Sequence, residues 1–373
     1  MAQLSTTKLK PNEMLLNMGP QHPSTHGVCR LVLKVDGEKA LEVEPVIGYL
    51  HRGMEKLAEN RTYIQFLPLT DRLDYVAPLG NNQVYVQAIE ELMEIEVPER
   101  ADYIRVIMLE LQRIASHLLF ISSFGADVGA WTVLMYGFRE RERLLDLLEM
   151  TTGGRMVYSY IWPGGVRYDL ADGFVEKCRK EMEDLPKYLE DYKKYFYSNE
   201  IFLKRCEGVG ILKKEDAVNM GVTGANLRAC GLAHDVRKDD PYSIYDQLDF
   251  KVITEKGGDT LARFNMRLRE IYESINIVNQ ALDALPKGDF RAKIPKILKP
   301  PFGEVYSRTE APRGELSMYL VSDGESKSPF RLKIRSPSFC NLSAFPATAR
   351  GAILADVVAN FASIDIVLGD VDR

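Results

Sequence analysis

The sequence predicts an α+β fold that is mainly helical, with small β elements in its N- and C-terminal portions. Three observations carry that reading. Apolar and polar positions alternate near the two ends, as in Arg30-Leu31-Val32-Leu33-Lys34-Val35 and Ser317-Met318-Tyr319-Leu320-Val321-Ser322. From about Gly53 to Tyr197, apolar residues recur at three- and four-residue steps instead. Clusters of glycine and proline punctuate the periodic stretches. The chain has 373 residues, 46% hydrophobic and 27% charged, enough apolar material for two or three packed units of roughly 100–200 residues each. The pattern divides it into a β-rich segment over 1–52, a helical body over 53–300, and a small β-containing segment with a last helix over 301–373.

Taken in order, Met14-Leu15-Leu16 is a short strand. The run 30–35 joins Leu41-Glu42-Val43-Glu44 through an Asp36-Gly37 turn, a hairpin signature. Between them, Gly19-Pro20-Gln21-His22-Pro23-Ser24-Thr25-His26-Gly27 holds two prolines and two glycines in nine residues, which forces a loop. Helices are expected over 53–66, 79–95, 99–122, 130–150, 173–197 and 259–285, with Pro98-Glu99 a fitting start for the third. Residues 198–260 read as mixed and loop-rich, 286–301 as a Pro- and Lys-rich connection, 304–336 as β, and 346–361 as the last helix. The most hydrophobic window, Ile114 to Phe138, is interrupted by His117, Asp127, glycines and serines. A fully buried central helix pair accounts for it better than a membrane span. The polar start, Met1 to Pro11, lacks the apolar stretch of a signal peptide.

Composition excludes several classes. Lys plus Arg is 48 against 53 Asp plus Glu, a net charge of −5, so the basic excess of a nucleic-acid binder and a polybasic membrane anchor are both missing. The five cysteines, Cys29, Cys178, Cys206, Cys230 and Cys340, stand far apart without a CxxC. A disulfide scaffold and a cysteine-ligated zinc or iron–sulfur site in this chain are therefore disfavoured.

Local patterns offer few chemical groups. His22 and His26 share one tight loop, where their spacing has no helical metal-ligand meaning, and a surface or cap histidine is an equal reading. His117 falls on an apolar stripe and reads as a satisfied core histidine. Arg139 to Arg143 alternates in sign, as a solvated or interfacial helix face would. The glycines at 153–154 and 164–165 do not match GxGxxG, and Met220 to Gly224 is no phosphate loop. Asp127 lies in apolar surroundings, where a carboxylate needs a partner, a histidine or arginine from another segment, unless it caps a helix near Gly125 and Gly129. Asp71-Arg72-Leu73-Asp74-Tyr75 is a dense polar knot, read locally as a helix start.

Longer motifs are more specific. GPQHPSTHG (19–27), EPVIGYLHRGME (44–55), DRLDY (71–75), YIRVIMLELQRIASHLL (103–119), GGVR (164–167), EAPRG (310–314), LVSDG (320–324) and GDVDR (369–373) span nearly the whole chain. In that order they resemble the NuoD-type subunit of respiratory complex I. That family includes the NdhH-type subunit and the archaeal FpoD-type subunit of a dehydrogenase that oxidises a reduced deazaflavin. The resemblance implies the fold of the [NiFe] hydrogenase large subunit, whose nickel is held by two CxxC pairs. Asp74 and Ala77, and Val367 and Asp370, stand at the thiolate places here, so four soft ligands are absent and no metal is expected.

By the same resemblance, the emptied cradle takes the headgroup of a lipid quinone, or methanophenazine. His26 and Tyr75 would hydrogen-bond the two redox atoms, and Asp127 would pair with His26. His22 would shape the loop, and Asp74, Val367 and Asp370 would line the pocket. Arg52 would face the terminal [4Fe–4S] cluster of a NuoB-type neighbour, with no cofactor bound by this chain alone. NuoC-, NuoI- and NuoH-type subunits are further implied partners. The implied place is the cytoplasmic side of the cell membrane, peripheral, in a proton-translocating complex. Electrons from NADH, ferredoxin or a reduced deazaflavin would enter through other subunits.

The residue types suit that chemistry. An imidazole near pKa ~6.5 gives and regains a proton at neutral pH, and a phenol near pKa ~10 stays neutral and donates. Forming tyrosinate at pH ~7 costs roughly 4 kcal/mol, which the reduced ring or a relay must supply. The competing expectation is a membrane-bound [NiFe] hydrogenase catalytic subunit, disfavoured by the missing CxxC pairs.

Overall fold

The computed structural model describes residues 9–373; the reading of the polar start as no signal peptide falls largely outside them. The fold is α+β, about half helical with small sheets.

Three antiparallel strands, Glu13–Met18, Arg30–Asp36 and Lys39–Val46, form the N-terminal sheet, with Arg30–Asp36 in the middle. Asp36 pairs with Lys39 across a two-residue turn in which Gly37 takes φ 58°. Leu31, Leu33 and Val35 share a face and pack, with Ala40 and Val43, against Phe345, Val357, Phe361 and Leu368. The two ends of the chain thus build one core.

The body is organised on the helix Glu99–Asp127, buried along most of its length. It runs on to Asp127 rather than stopping at 122. Gly125 does not break it, because a Cβ there would already lie 3.3 Å from Phe196, so the glycine serves close packing. Against it lie Trp131–Thr152 and Thr260–Asp283, with Phe174–Tyr197 beyond. No described helix is long and apolar enough to cross a membrane. The expected fully buried pair needs correction: Trp131–Thr152 buries one stripe, while Trp131 (65% exposed) and Met135 (69%) face outward. Within 139–143, Glu140 is not solvated. It is buried beside Arg139 at 2.8 Å and Arg143 at 3.5 Å.

Other boundaries moved for local reasons. The stretch 53–66 is two helices, Met54–Glu59 and Tyr63–Thr70, because Thr62 and Gln65 form a reciprocal capping box that starts the second. The stretch 346–361 is also two, Phe345–Ala349 and Leu354–Ile364. Between them the N–H groups of Gly351 and Leu354 bond the carbonyls of Ala40 and Glu38, so the backbone leaves the helix to reach the sheet. Residues 198–260 hold short helices, Glu200–Cys206, Lys214–Asn219, Gly224–Arg228 and Val236–Asp239. The second main sheet runs Phe302–Ala311, Gly314–Asp323, Arg331–Arg335, antiparallel throughout.

A buried ionic network joins these elements. His117 Nε2 lies 2.9 Å from Glu270, while its Nδ1 has no partner, so the histidine is satisfied on one side only. Arg228 donates to Glu270 (2.9 Å) and Glu310 (2.7 Å), and Arg237 to Asp235 (2.7 Å) and Glu110 (3.0 Å). Burial would raise Glu270, but Arg228 and then His117 outweigh it and hold it well below the usual carboxylate range. Arg228→Met leaves Glu270 and Glu310 buried without their cation. We expect a loss of about 3–5 kcal/mol in a denaturant titration of the full chain; a loss under ~1 kcal/mol would refute the network's role.

Candidate functional site

The loop 19–27 is built by its own side chains. Two short strands, Gln21–His22 and Gly27–Val28, pair around one 3-10 turn, Pro23–Thr25. His22 is exposed, and its Nδ1 accepts the Ser24 N–H at 3.2 Å, a capping role. Buried Thr25 bridges the carbonyls of His22 (2.8 Å) and Gly27 (2.9 Å). His26 is thereby held at φ 51°, in the left-handed region, with its ring turned toward the central helix. Its Nε2 lies 2.8 Å from Oδ2 of Asp127, the last residue of that helix. Both side chains keep partial exposure, 21% and 16%, so the pair borders accessible space.

The knot 71–75 lies between the helices Tyr63–Thr70 and Pro78–Met93. Asp71 is buried against the Asn82 amide and the Ser159 N–H. Asp74 does cap the turn before the second helix: Oδ1 accepts the N–H groups of Val76 and Ala77, each at 3.1 Å. Its Oδ2 accepts Arg313 at 3.0 Å, and Arg313 also donates to Ser116 (2.9 Å). Half-buried Tyr75 has its pKa raised, by burial first and then by the charge of Asp74, so it stays a neutral donor.

The last residues of the sequence close the arrangement. Asp372 accepts the N–H groups of Gly48 and Leu50, each at 2.8 Å, and its carbonyl lies 2.7 Å from His51 Nδ1. Arg52 lies at the surface and donates to the Gly369 carbonyl at 3.0 Å. A Cβ on Gly369 would stand 3.0 Å from the Leu73 carbonyl and 3.4 Å from both Arg52 Nη2 and Tyr75 Cε1. One residue earlier, Leu368 would meet a Cβ on Gly27 at 3.0 Å. Adjacent residues 368 and 369 therefore touch the histidine loop on one side and the Tyr75 knot on the other. Val367 and Asp370 are buried in the same turn.

The structure thus joins His26 to Asp127, Tyr75 to Arg52 through Gly369, and Asp74 to Arg313. The sequence reading gave no role to Arg313, Asp365, Leu368 or Asp372, although EAPRG contains Arg313 and GDVDR contains Asp372. The signal at those two was an apparently ordinary charge that proves to be buried. A nickel ion does not fit: Asp74 is committed to Arg313 and backbone N–H groups, and Ala77 and Val367 offer no donor atom. Among the described residues, no group of three His, Cys, Asp or Glu side chains is placed to hold a metal.

Comparison with known proteins places the chain among the subunits of a respiratory oxidoreductase complex. Residues 127–301 and 294–373 match the family described as respiratory-chain NADH dehydrogenase, 49 Kd subunit, and the chain belongs to that family. It is 51% identical over 364 residues to the NADH-quinone oxidoreductase D subunit of Carboxydothermus hydrogenoformans, covering 98% of this chain and 100% of the relative. The corresponding protein of Clostridium beijerinckii, with the same name, is 51% identical over 366 residues, with 98% and 99% covered. That of Dehalococcoides mccartyi is 51% identical over 366 residues, with 98% and 100% covered.

Burial raises Asp74 from its ordinary 3.8 to about 6, with Arg313 opposing. The folded chain therefore binds more protons than the unfolded chain between those values. The stability from this group is full below pH ~3.8 and is lost as pH rises through about 6. Urea midpoints of the full chain should show wild type losing stability over that window relative to Asp74→Asn; parallel curves would contradict the burial of this acid.

Proposed function

We propose that this chain forms the headgroup site for a lipid quinone, or methanophenazine, beside the terminal [4Fe–4S] cluster of a NuoB-type neighbour in a proton-translocating oxidoreductase. The observation that carries the reading is the His26–Asp127 pair at 2.8 Å, set across residues 368–369 from a neutral Tyr75 phenol. On this reading an imidazole and a phenol flank the headgroup. The relatives are named as D subunits of NADH-quinone oxidoreductases, which agrees with a quinone as acceptor.

Two-electron reduction places negative charge on the two ring oxygens. Donors already aimed at those atoms stabilise that charge without reorganising, in a pocket with few competing waters. His26 gives a proton to one oxygen, and Asp127, 2.8 Å from its Nε2, orients the ring. Tyr75 donates to the other. When His26 loses its proton, its attraction to Asp127 falls, and the freed carboxylate charge is the first electrostatic event available to proton translocation. A cluster in the neighbouring subunit would supply the electrons, and Arg52, exposed at the end of the 44–52 segment, would face it. NuoC-, NuoI- and NuoH-type subunits complete the setting, on the cytoplasmic side of the membrane. The donor is NADH, ferredoxin or a reduced deazaflavin, taken up elsewhere in the complex. We also read the Asp74, Val367 and Asp370 turn as a hydrogenase-like cradle without metal.

In the assembled complex, Tyr75→Phe should lower reduction of a short-chain quinone by roughly 10²-fold while cluster reduction by the donor continues. An unaltered rate would make the chain a scaffold. Asp127→Asn should slow reduction and uncouple it from proton uptake; full coupled activity would refute the role of the pair.

A further inference from the structure

The turn beneath Tyr75 holds more carboxylates than cations. Asp74, Asp365 and Asp370 are gathered around Arg313 and Arg267. Arg313 donates to Asp74 at 3.0 Å and to Asp365 at 3.4 Å, and Arg267 Nε lies 3.3 Å from Asp365. Of the three acids, Asp370 alone contacts no cation. Its Oδ2 accepts the Ser336 hydroxyl at 2.6 Å and the Ser338 N–H at 3.3 Å, both neutral donors. Its Oδ1 has no partner, although the residue is only 1% exposed.

Other groups nearby do not change this balance. Arg313 acts on Asp370 from a distance, Asp74 repels it, and Cys340 is a neutral thiol whose pKa burial raises. Arg52 is engaged by the Gly369 carbonyl, and Arg373 by the Ile334 carbonyl at 2.8 Å. A buried carboxylate with one bare oxygen and no paired cation is costly. Protonation on that oxygen removes the charge and keeps both hydrogen bonds on the other. Burial accordingly raises the pKa of Asp370.

We propose that Asp370 stands as a neutral carboxylic acid at neutral pH, with its proton on Oδ1, and is the store from which Tyr75 is reprotonated after the phenol gives its proton to a reduced quinone. The second half rests on the reading of this pocket as a quinone site. Atoms and electrons balance. The ring takes two electrons, one after the other, by way of the neighbouring cluster. The Tyr75 O–H bond breaks as a ring O–H bond forms, leaving phenolate. The Asp370 O–H bond then breaks and the Tyr75 O–H bond re-forms, leaving a carboxylate that solvent reprotonates. The transfer runs downhill, since a phenolate takes a proton from a carboxylic acid. Gly369, the neighbour of Asp370, packs on the Tyr75 ring, and Arg313 influences both groups.

Infrared difference spectroscopy of the assembled complex tests the first half. Between neutral and alkaline pH, wild type should show the C=O band of a protonated acid that is missing in Asp370→Asn and shifted in Asp370→Glu. Identical bands in all three would overturn the proposal, and Asp370→Glu keeps the test alive if the asparagine variant fails to assemble. Reduction of a short-chain quinone tests the second half. Asp370→Asn should lower kcat roughly tenfold or more with little change in KM and alter the pH profile, and Asp370→Glu should restore both. Loss of the band with an unaltered rate and profile would overturn the store. An unaltered rate in Tyr75→Phe would instead remove the quinone reading while leaving the Asp370 band in place, so the two failures are told apart.

Discussion

Asp372 decides where the site is. Its carboxylate accepts the N–H groups of Gly48 and Leu50, and so fastens the end of the sequence to the segment that presents Arg52. With that clamp closed, residues 368 and 369 lie between the histidine loop and the Tyr75 knot, touching both. Gly369 suits the fit, since a Cβ there would stand only 3.0 Å from the Leu73 carbonyl. Segments 324 residues apart in sequence are thus held together.

Electrostatics divides the interior into paired and unpaired groups. Glu270, Glu110 and Asp235 each have an arginine in contact that holds the carboxyl below its ordinary range and stiffens the frame, while burial raises Glu310 despite Arg228. The groups around the pocket are held less tightly. His26 and Asp127 have each other and partial exposure, Tyr75 is kept neutral by burial, and Asp370 has only neutral donors.

Much of the fold was legible because periodicity reports burial directly. The helices at 99, 130, 173 and 259 began within one residue of expectation, since each has a long apolar stripe. Boundaries failed where tertiary contacts overrode the local pattern. Gly125 stays helical because Phe196 packs on it, and the helix after Phe345 breaks because its backbone bonds the N-terminal sheet. Glu140 looked solvated because it stands in a run of alternating charge, and two arginines of that run, Arg139 and Arg143, are what allow it to be buried. At the site, residue spacing alone left His26, Asp127 and Tyr75 as disconnected polar residues. Motif resemblance linked them, and the fold supplies the physical contact for His26 and Asp127. Arg313 and Asp372 could not be seen from sequence, because their partners, Asp74 and the Gly48–Leu50 backbone, lie 239 and 322–324 residues away.

The central claim is that a reducible ring sits between the imidazole of His26 and the phenol of Tyr75. A density map of the assembled complex with a bound quinone analogue tests it most directly. The account predicts one ring oxygen within hydrogen-bond reach of each side chain, with residues 368 and 369 forming the wall between them. Headgroup density resting elsewhere, with neither His26 nor Tyr75 in contact, would contradict it.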